Sequence, residues 1–300
     1  MRLRWATAIA MLIIHLVAVL AFFPAFFSWT GVALVFVGLY VFGTLGINVG
    51  YHRLLTHRGF KCPRWLERTF ALLGVCSLEG GPARWVAMHR KHHQHSDEQP
   101  DPHSPLVNFL WGHIGWIIYE NRDTDTAALA GKYARDLMTQ DFYRKLEQKY
   151  RWLLVYVLHA VLFWVGGMIA GLILHPGDLG AASMYAAGIV VWGVAVRTVV
   201  VWHITWSVNS LSHLFGYQSH KTGENSRNNW LVALLSNGEG WHNNHHADQV
   251  CVAHGRKWWE LDVTYITILG LRTLRLAWDL RLPDRHDHHD HHHGKPEAHA

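Results

Sequence analysis

The sequence predicts an all-α integral membrane fold, with four transmembrane helices arranged as two hairpins and a helical cap on one side of the bilayer. Half of the 300 residues are apolar and only 16% are charged, whereas soluble domains average roughly 25% charged residues. Four apolar segments reach the ~20 residues that a helix needs to cross a bilayer. They cover about residues 5–27, 31–50, 152–174 and 181–206.

The first apolar segment follows two arginines and therefore has the flank of a signal peptide. Its apolar run exceeds the roughly 7–15 residues of a signal core, and no small-x-small cleavage site follows it. We therefore expect a span that stays in the protein. Short links join the spans in pairs, namely Ser28–Thr30 between the first two and His175–Asp178 between the last two.

Lysine and arginine residues lie almost entirely on one side of these hairpins. The positive-inside rule then places both termini and both long polar regions in the cytoplasm. We expect a multi-pass protein of a bacterial inner membrane or an equivalent membrane. The cap would consist of residues 51–151 and 207–283, so that residues 1–283 form a single membrane domain.

Other features refine this prediction. Residues 284–300 are rich in histidine and poor in apolar side chains, so we expect a disordered tail. Residues 63–77 and 257–282 alternate apolar and charged side chains, which favours amphipathic helices in the cap or on the membrane surface. The net charge of +5 is spread along the chain and does not predict a nucleic-acid partner.

The histidines outside the tail are concentrated in short motifs just beyond the predicted spans. His52 and His57 follow the second span, and the stretch Asn209-Ser-Leu-Ser-His213 follows the fourth. The two polar regions contribute one triplet each, namely His89, His92 and His93, then His242, His245 and His246.

The spacing within each motif predicts how the rings are directed. Residues at i, i+3 and i+4 share one face of an α-helix, so each triplet is predicted to point its three imidazoles at one spot. His52 and His57 are five apart, about 140° around an α-helix. That spacing suits ligands of two different metals, or a helix that ends between them.

Neutral imidazole is a good ligand for iron, zinc, copper and nickel. Nine such rings are too many for one ion and suit two, and the three cysteines form no thiolate set of the kind that binds structural zinc. Ligand imidazoles normally donate their other N–H to an acceptor, for which the flanking candidates are Asp97, Asp101, Glu239 and Asp248.

The remaining histidines of the body are interpreted more plainly. We read one group as satisfied polar residues or interface residues, namely His15, His159, His175, His203, His220 and His254. A second group lies close enough to the motifs to support the ligands, namely His95, His103 and His113.

The motifs HRLLTHR, HRKHHQHSD and GWHNNHH resemble those of the membrane fatty-acid desaturases, in the delta-9 acyl-CoA and acyl-lipid group that includes the stearoyl-CoA desaturases. The resemblance covers roughly residues 42–283. Supporting stretches are Gly46–His52, Glu79–Pro82, Asp101–Pro105, Trp111–Trp116 and Gly238–His242. The third motif is closer to the plant and cyanobacterial branch than to the animal acyl-CoA branch, which leaves CoA or lipid open as the acyl carrier.

The resemblance implies a di-iron centre in the cytosolic cap. Its iron ligands would be His52, His57, His89, His92, His93, His213, His242, His245 and His246, with Asn209 holding a metal-bound water. The reaction would use dioxygen and two electrons to insert a cis double bond into a saturated acyl chain. No cytochrome or ferredoxin domain is fused to the chain, so a separate donor of the ferredoxin or cytochrome b5 type, with its reductase, would supply the electrons.

An unactivated methylene offers no acidic proton, so general acid–base chemistry cannot remove its hydrogen. The metal must supply the oxidant while the protein fixes which carbon reaches it. Trp85, Thr205 and Trp206 are candidates to line an apolar tunnel for the acyl chain, and core packing is an equally good account of each. Arg90 and Lys91 are candidates to contact a phosphate of CoA or a headgroup, with positive-inside charge as the alternative.

Two other functions share part of this pattern. A membrane di-iron hydroxylase or ketolase would carry the same motifs but place oxygen in its product. A metal transporter would need ionisable groups along a path through the bilayer. The ionisable groups of the predicted spans, His15, His159, Arg197 and His203, show no repeated ligand spacing.

Overall fold

The computed structural model describes residues 2–98, 101–120 and 126–283. This part of the chain is helical and contains only isolated β-bridges. Its α-helices are α1 (Trp5–Val19), α2 (Trp29–Gly38), α3 (Arg64–Val75), α4 (Pro82–Gln94), α5 (Trp116–Ile118), α6 (Thr126–Tyr133), α7 (Arg135–Met138), α8 (Asp141–Glu147), α9 (Arg151–Leu174), α10 (Leu179–Val190), α11 (Arg197–Leu214), α12 (Trp230–Leu235), α13 (His242–Ala247) and α14 (Val263–Thr273). The π-helical segments are Leu39–Thr56, Trp111–Gly115 and Val191–Val196.

Four helical runs are long and apolar enough to cross a membrane, which confirms the predicted number of spans. They are Trp5–Phe22, Trp29–Thr56, Asp141–Leu174 and Leu179–Leu214. The second and fourth run past their predicted ends because the helices continue into the histidine motifs, where the side chains are mostly buried. The third run bends at Lys149 and Tyr150, which have φ values of 50° and 55°, so its apolar part is α9, close to the predicted 152–174.

The second and fourth spans form the centre of the membrane region. Within their most apolar windows 44% and 56% of the residues are buried, against 11% and 17% in the first and third spans. Large apolar side chains of the outer spans are exposed, among them Leu16 at 58% and Ile173 at 73%. A broad exposed apolar surface of this kind marks contact with lipid.

Small residues bring the third and fourth spans together. A Cβ on Gly167 would lie 2.8 Å from the Cα of Ala186, and one on Gly171 would lie 2.7 Å from the carbonyl oxygen of Ala182. Residues nearer the connecting turn thus face each other, as in an antiparallel pair. Glycine and alanine let the two backbones approach closely, which is how membrane helices gain packing energy.

The second span is π-helical from Leu39 to Thr56. At its end the amide of His57 donates to the carbonyl of His52, five residues back, at 3.1 Å. Close contacts with α3 accompany this winding, since a Cβ on Gly46 would lie 2.5 Å from the backbone nitrogen of Gly74. Because i→i+5 bonding widens each turn, residues five apart lie almost above one another, and the predicted 140° separation of His52 and His57 is wrong.

The two predicted amphipathic helices are observed in part. Helix α3 falls within the predicted segment 63–77, but the predicted helix over 257–282 is reduced to α14. The side chains of Glu260 and Asp262 accept hydrogen bonds from the amides of Lys257 and Tyr265, which turns the chain before α14 begins. Arg275, with φ of 60°, follows its end. The predicted tail, residues 284–300, lies outside the described residues.

A buried arginine lies in the core of the membrane region. Arg197 is fully buried and donates to the carbonyls of Gly193 and Cys76, to His159 Nε2 at 2.8 Å, and stacks 4.2 Å above the ring of Phe42. These contacts join the second, third and fourth spans to the loop after α3. A charge in the bilayer is costly unless it is paired in this way.

We expect Arg197→Leu to lower the thermal unfolding temperature of the detergent-solubilised protein. The change leaves the buried carbonyl of Cys76 without its donor, at a cost of roughly 1–3 kcal/mol, and His159 without its partner. The exposed Arg281 provides the matched control, because Arg281→Leu removes no buried contact. Equal unfolding temperatures for the two variants would contradict the role given to Arg197.

Candidate metal centre

The histidine motifs converge into two buried clusters. The first histidine cluster contains His52, His57, His89, His93 and His245, and the second contains His92, His213, His242 and His246. Within each cluster one nitrogen of every ring lies within 4.8 Å of the others. All nine predicted histidine ligands are therefore brought together in two groups. Each triplet contributes histidines to both groups.

The triplets divide between the clusters. On α4, His89 and His93 belong to the first cluster and His92 to the second; on α13, His242 and His246 belong to the second and His245 to the first. The prediction that each triplet points at one spot is therefore wrong. Positions i+3 and i+4 lie about 100° apart around a helix. The i+3 and i+4 histidines of each triplet therefore point in different directions and belong to different clusters.

His52 and His57 both belong to the first cluster, so their spacing does not separate two metals. The π-helical end of the second span brings their rings to 4.8 Å between centroids. The helix ends at Thr56, between the two residues, which is the other arrangement that their spacing suited.

The ring nitrogens face inward. In the first cluster His52 Nε2 lies 3.1 Å from His245 Nε2, which lies 3.0 Å from His93 Nε2. In the second cluster His213 Nε2 lies 3.0 Å from His242 Nε2. His57 Nε2 and His92 Nε2 are buried without a hydrogen-bond partner among the described residues. Converging and unpartnered imidazole nitrogens fit a pair of metal ions.

Burial sets the protonation of most rings. Burial, followed by repulsion from neighbouring imidazoles, lowers the pKa of His57, His89, His93, His242, His245 and His246 well below the usual value. These rings are neutral, the form that binds metal. For His92 burial also acts to lower the pKa, but the adjoining Asp101 carboxylate outweighs it and raises that pKa.

Carboxylates stand behind the rings. His52 Nδ1 lies 2.5 Å from Glu239, His92 Nδ1 lies 3.0 Å from Asp101, and His213 Nδ1 lies 3.0 Å from Asp97. Burial opposes ionisation of Asp97, but the hydrogen bond from His213 outweighs it and lowers the pKa of Asp97 to about 2. Acceptors in these places fix the tautomer, so that Nε2 is free to bind metal.

Three of the four predicted acceptors thus lie at the ligands, and the fourth does not. Asp248 pairs with Arg256 at 3.1 Å. Sequence reasoning missed Glu224, whose carboxylate lies 3.6 Å from His246 Nδ1 and 3.7 Å from His213 Nδ1. Glu224 lies outside every histidine motif, so spacing could not have found it.

Sequence reasoning also missed Arg53. It is 1% exposed and forms two-point contacts with Glu239 (3.1 and 2.8 Å) and with Asp262 (3.0 Å each). It also donates to the carbonyl of Val252. A guanidinium forms such forked contacts with carboxylates, so the second span is fixed to the third motif and to α14.

Two further histidines pack on the ligands. His103 lies 4.3 Å from His92 and His254 lies 4.4 Å from His245, measured between ring centroids. His254 Nδ1 is also 3.4 Å from Glu239. His103 is thus placed as a ligand support, as its position suggested. His254, interpreted as an ordinary polar residue, in fact lies against the first cluster.

The two asparagines of the third motif hold the short helix α13 in place. Asn243 accepts hydrogen bonds from the amides of Ser219 and His220, at 2.7 and 2.8 Å. Asn244 donates to Glu260 and to the carbonyl of His254, at 2.8 and 2.9 Å. A helix of only six residues gains little from its own hydrogen bonds, so these side chains fix the direction of its three imidazoles.

The candidate tunnel residues surround Glu79 and a nearby cavity. Trp85 packs on His89, with 5.0 Å between ring centroids, and donates to Glu79 at 2.9 Å. Burial raises the pKa of Glu79 to about 7, against hydrogen bonds from Trp85 and Thr205. Trp206 is buried and stacks on Trp202.

A narrow cavity lies between the second and fourth spans. It is lined by Leu39, Gly43, Thr44, Asn48, Val201, Ile204, Thr205, Leu235, Ser236 and Asn237.

The remaining predicted site residues lie nearby. Arg90 donates to the carbonyls of Leu55 and Thr56 at the end of the second span, and pairs with Asp136 at 2.8 Å. Lys91 is 4% exposed. Asn209 is half-buried on α11, one turn before His213.

A second cavity reaches the first cluster from outside. It has a volume of about 280 Å³ and is lined by Thr56, His57, Arg90, His93, Gln94, Gln249 and Val250. Two of these residues, His57 and His93, belong to the first cluster. Val250 is 50% exposed at its rim, so the first cluster is the one that this cavity connects with the surface.

These spans and clusters define a membrane protein with buried histidine groups able to bind metal. Comparison with known proteins gives the family. A family model described as fatty acid desaturase matches residues 27–266, and the chain belongs to that family. It is therefore an oxidoreductase that acts on acyl chains, as the motifs suggested.

Several relatives match most of the chain. The sn-1 stearoyl-lipid 9-desaturase of Synechocystis sp. (strain ATCC 27184 / PCC 6803 / Kazusa) is 42% identical, over 93% of this chain and 80% of the relative. That of Anabaena variabilis is 40% identical, over 95% and 96%. A chloroplastic palmitoyl-monogalactosyldiacylglycerol delta-7 desaturase of Arabidopsis thaliana is 43% identical, over 90% and 66%.

The two clusters should differ in how they respond to acid. A proton competes with metal at His92, whose pKa is raised, although the pKa values of His242 and His246 in the same cluster are lowered. In the first cluster the pKa values of His57, His89, His93 and His245 are all lowered, which keeps those rings neutral to lower pH. As pH falls from 8 to about 5, we expect bound metal to be lost in two steps, with the second cluster emptied first.

Metal content measured by mass spectrometry after equilibration at each pH checks this expectation. The exposed Asp141 provides a control, because Asp141→Asn should leave both steps in place. Loss of all metal in a single step would contradict the difference between the clusters.

Proposed function

We propose that the protein is an acyl-lipid desaturase that inserts a cis double bond at the delta-9 position, using two iron ions held by the two histidine clusters. The observation that carries the proposal is the pair of adjoining clusters, with five and four converging imidazoles. The relatives support lipid as the acyl carrier, since those of Synechocystis and Anabaena are named stearoyl-lipid 9-desaturases. An acyl-CoA C20 Delta5-desaturase of Anemone leveillei, 39% identical, keeps CoA as the alternative.

The residues present fit iron, since imidazole is among its usual protein ligands. Iron bound there would supply, with dioxygen, the oxidising power that removes hydrogen from an unactivated methylene. The protein's own part is to orient and to exclude water. Asp97, Asp101 and Glu239 fix the ring tautomers, and Asn209, one turn before His213 on α11, would hold a metal-bound water.

We propose that the cavity between the second and fourth spans, which has a volume of about 20 Å³ in this structure, widens to form the acyl tunnel. Asn48, one helical turn before His52, lies in its wall, so a chain in the cavity would pass close to the first cluster. Thr205 shares that wall, and Trp85 lies between Glu79 and His89. A narrow tunnel fixes regiochemistry because only the carbons held near the metals can react.

The remaining assignments follow from charge and access. We propose that both termini and the histidine clusters lie on the cytoplasmic side, where the positive-inside rule places the basic cap. A separate donor of the ferredoxin or cytochrome b5 type would deliver electrons at the cavity beside His57 and His93. Arg90 and Lys91 would then stabilise the cap and would not bind a lipid headgroup. The guanidinium of Arg90 already donates hydrogen bonds to Leu55, Thr56, Tyr133 and Asp136.

The product decides the proposal. Cells expressing the protein should accumulate a new monounsaturated acid, with its double bond located by derivatisation and mass spectrometry. His92→Ala should abolish it, with a loss beyond the roughly 10–100-fold that removal of an outer hydrogen-bond partner costs. His175→Ala, in the exposed turn after α9, is the control and should keep the product.

Other products would change the conclusion. A delta-7 double bond would align the protein with the Arabidopsis relative instead. A hydroxylated acid would replace desaturation with hydroxylation. An iron-loaded protein that makes neither, when supplied with both types of electron donor and with lipid and CoA substrates, would overturn the proposal.

Gly43 tests the tunnel. A Cβ there lies 3.5 Å from Val201 Cγ2, an ordinary contact, so a larger side chain would extend into the cavity. We expect Gly43→Leu to favour shorter acyl chains, with the C16 to C18 product ratio raised several-fold and the metal content unchanged. Gly166→Leu is the matched control, because nothing lies within 4 Å of a Cβ at that position. An unchanged ratio in Gly43→Leu would place the acyl chain elsewhere.

A further inference from the structure

Three histidines outside both clusters form a continuous hydrogen-bonded chain. His15 of α1 and His203 of α11 approach through their Nε2 atoms at 3.2 Å. His203 Nδ1 lies 3.0 Å from Nε2 of His113, in the π-helical segment Trp111–Gly115. His113 Nδ1 lies 2.9 Å from Ser210 Oγ. The chain therefore joins the first span, the fourth span and the segment between α4 and α6.

Both ends of the chain are carbonyl groups, which only accept hydrogen bonds. His15 Nδ1 donates to the carbonyl of Met11 at 2.8 Å, and Ser210 Oγ donates to that of Trp206 at 2.8 Å. The chain thus contains five hydrogen bonds, while three neutral imidazoles and one hydroxyl supply four protons. Neutral groups leave one bond unmade, and one added proton completes all five.

The added proton has three equivalent places. With all five bonds formed, one ring is doubly protonated, and that ring can be His15, His203 or His113. Moving the charge from one ring to the next requires only that the proton between them changes sides. No ring has to turn, because each shared proton already lies between two nitrogens 3.0–3.2 Å apart. The geometry is that of a proton relay.

The same geometry does not suit a metal ion. A single ion needs one nitrogen from each ring at one point, as the two histidine clusters provide. His203 instead uses its two nitrogens on opposite partners, His15 and His113. The three rings are arranged in a line, and the ends of that line are occupied by backbone carbonyls.

The surroundings leave room for one positive charge. Trp202 and Trp206 pack against the rings, and an aromatic face attracts a cation. His15 and His113 are the titratable groups that act on His203. Arg4, at the start of α1, donates to the carbonyl of Ile117 and is attracted by Glu120. Burial lowers the pKa of His113, so that ring is neutral near pH 7.

The reaction creates a need for protons. Desaturation removes two hydrogens from the acyl chain, takes two electrons from the donor and two protons from the medium, and reduces one dioxygen to two waters. Ser210 stands three residues before His213 on α11, which places their Cβ atoms about 5–6 Å apart. A proton leaving Ser210 is therefore one helical turn from the second histidine cluster.

We propose that His15, His203, His113 and Ser210 form a relay that takes up one proton, shares it among the three rings and releases it through Ser210 toward the second histidine cluster. Release is balanced, because the Ser210 hydroxyl turns from the carbonyl of Trp206, gives its proton to the oxygen that is reduced to water and takes one from His113 Nδ1, after which the three rings are neutral. The delivery step rests on the proposed function, whereas uptake of the proton does not.

Uptake is tested without turnover. Infrared difference spectra of the metal-loaded protein, recorded between pH 8 and 4.5 with ¹⁵N-histidine labelling, measure imidazolium formation. The wild type minus a variant carrying His15→Gln, His203→Gln and His113→Gln should show one imidazolium per protein. Three would mean that the rings titrate separately, and none would mean that the chain takes up no proton; either result overturns the relay.

Delivery is tested by His203→Gln, which breaks the chain at its centre, with His175→Gln as the matched control in the exposed turn after α9. We expect a roughly 10-fold or greater fall in the single-turnover rate, in line with the roughly 10²–10⁴-fold contributions of placed proton-transfer groups. The solvent deuterium isotope effect should rise, while metal content and the control stay at wild-type values. Unchanged rate and isotope effect would overturn delivery.

Ser210→Ala keeps the test decisive if His203→Gln fails to fold, because it removes the inner end and leaves all three rings. It should slow turnover while the single imidazolium still forms. Turnover at the wild-type rate would overturn delivery through Ser210. A wild type that makes no double bond would instead refute the proposed function, and the infrared result would still stand by itself.

Discussion

The arrangement of the site depends on one buried guanidinium. Arg53 lies between Glu239 and Asp262 with four hydrogen bonds to their carboxylates, and breaking such a buried pair costs about 3–5 kcal/mol. Glu239 in turn accepts from His52, and Asp262 accepts from the amide of His254 and caps α14. The contact thus fixes the end of the second span relative to the third motif, and the first cluster draws ligands from both.

The carboxylates around the clusters compensate for the burial of the histidine rings. Nine crowded rings can share a dry site only if they are neutral, and burial with mutual repulsion ensures this for most of them. A neutral ring that binds metal through one nitrogen needs an acceptor for the N–H on its other nitrogen. Glu239, Asp101 and Asp97 provide that acceptor for His52, His92 and His213. Burial opposes the ionisation of Glu239, but Arg53 and the neighbouring histidines outweigh it and hold its pKa well below the usual range. Ligand geometry and carboxylate charge are thus parts of one network.

The sequence predicted what depends on local pattern and missed what depends on distant contact. Apolar length located the four spans, and histidine spacing located all nine rings. The division of each triplet between the two clusters depends on where neighbouring helices place the other histidines. The spacing of residues within one helix does not contain that information. The π-helical winding that turns His57 toward His52 accompanies close packing of Gly46 on α3. Glu224 and His254 reach the ligands from outside every motif, where no spacing rule applies.

The fourth span presents different residues to its two sides. Val201 and Thr205 lie in the wall of the cavity toward the second span. His203 and Ser210 are seven residues apart on the same helix, within about 20° of one face, and His203 is about 160° from both Val201 and Thr205. The cavity proposed for the acyl chain and the histidine chain therefore lie on opposite sides of α11, with the ring of His203 directed at His15 of the first span. A dry tunnel and a supply of protons are conflicting demands on one site, and the two differently lined faces of this helix would satisfy both.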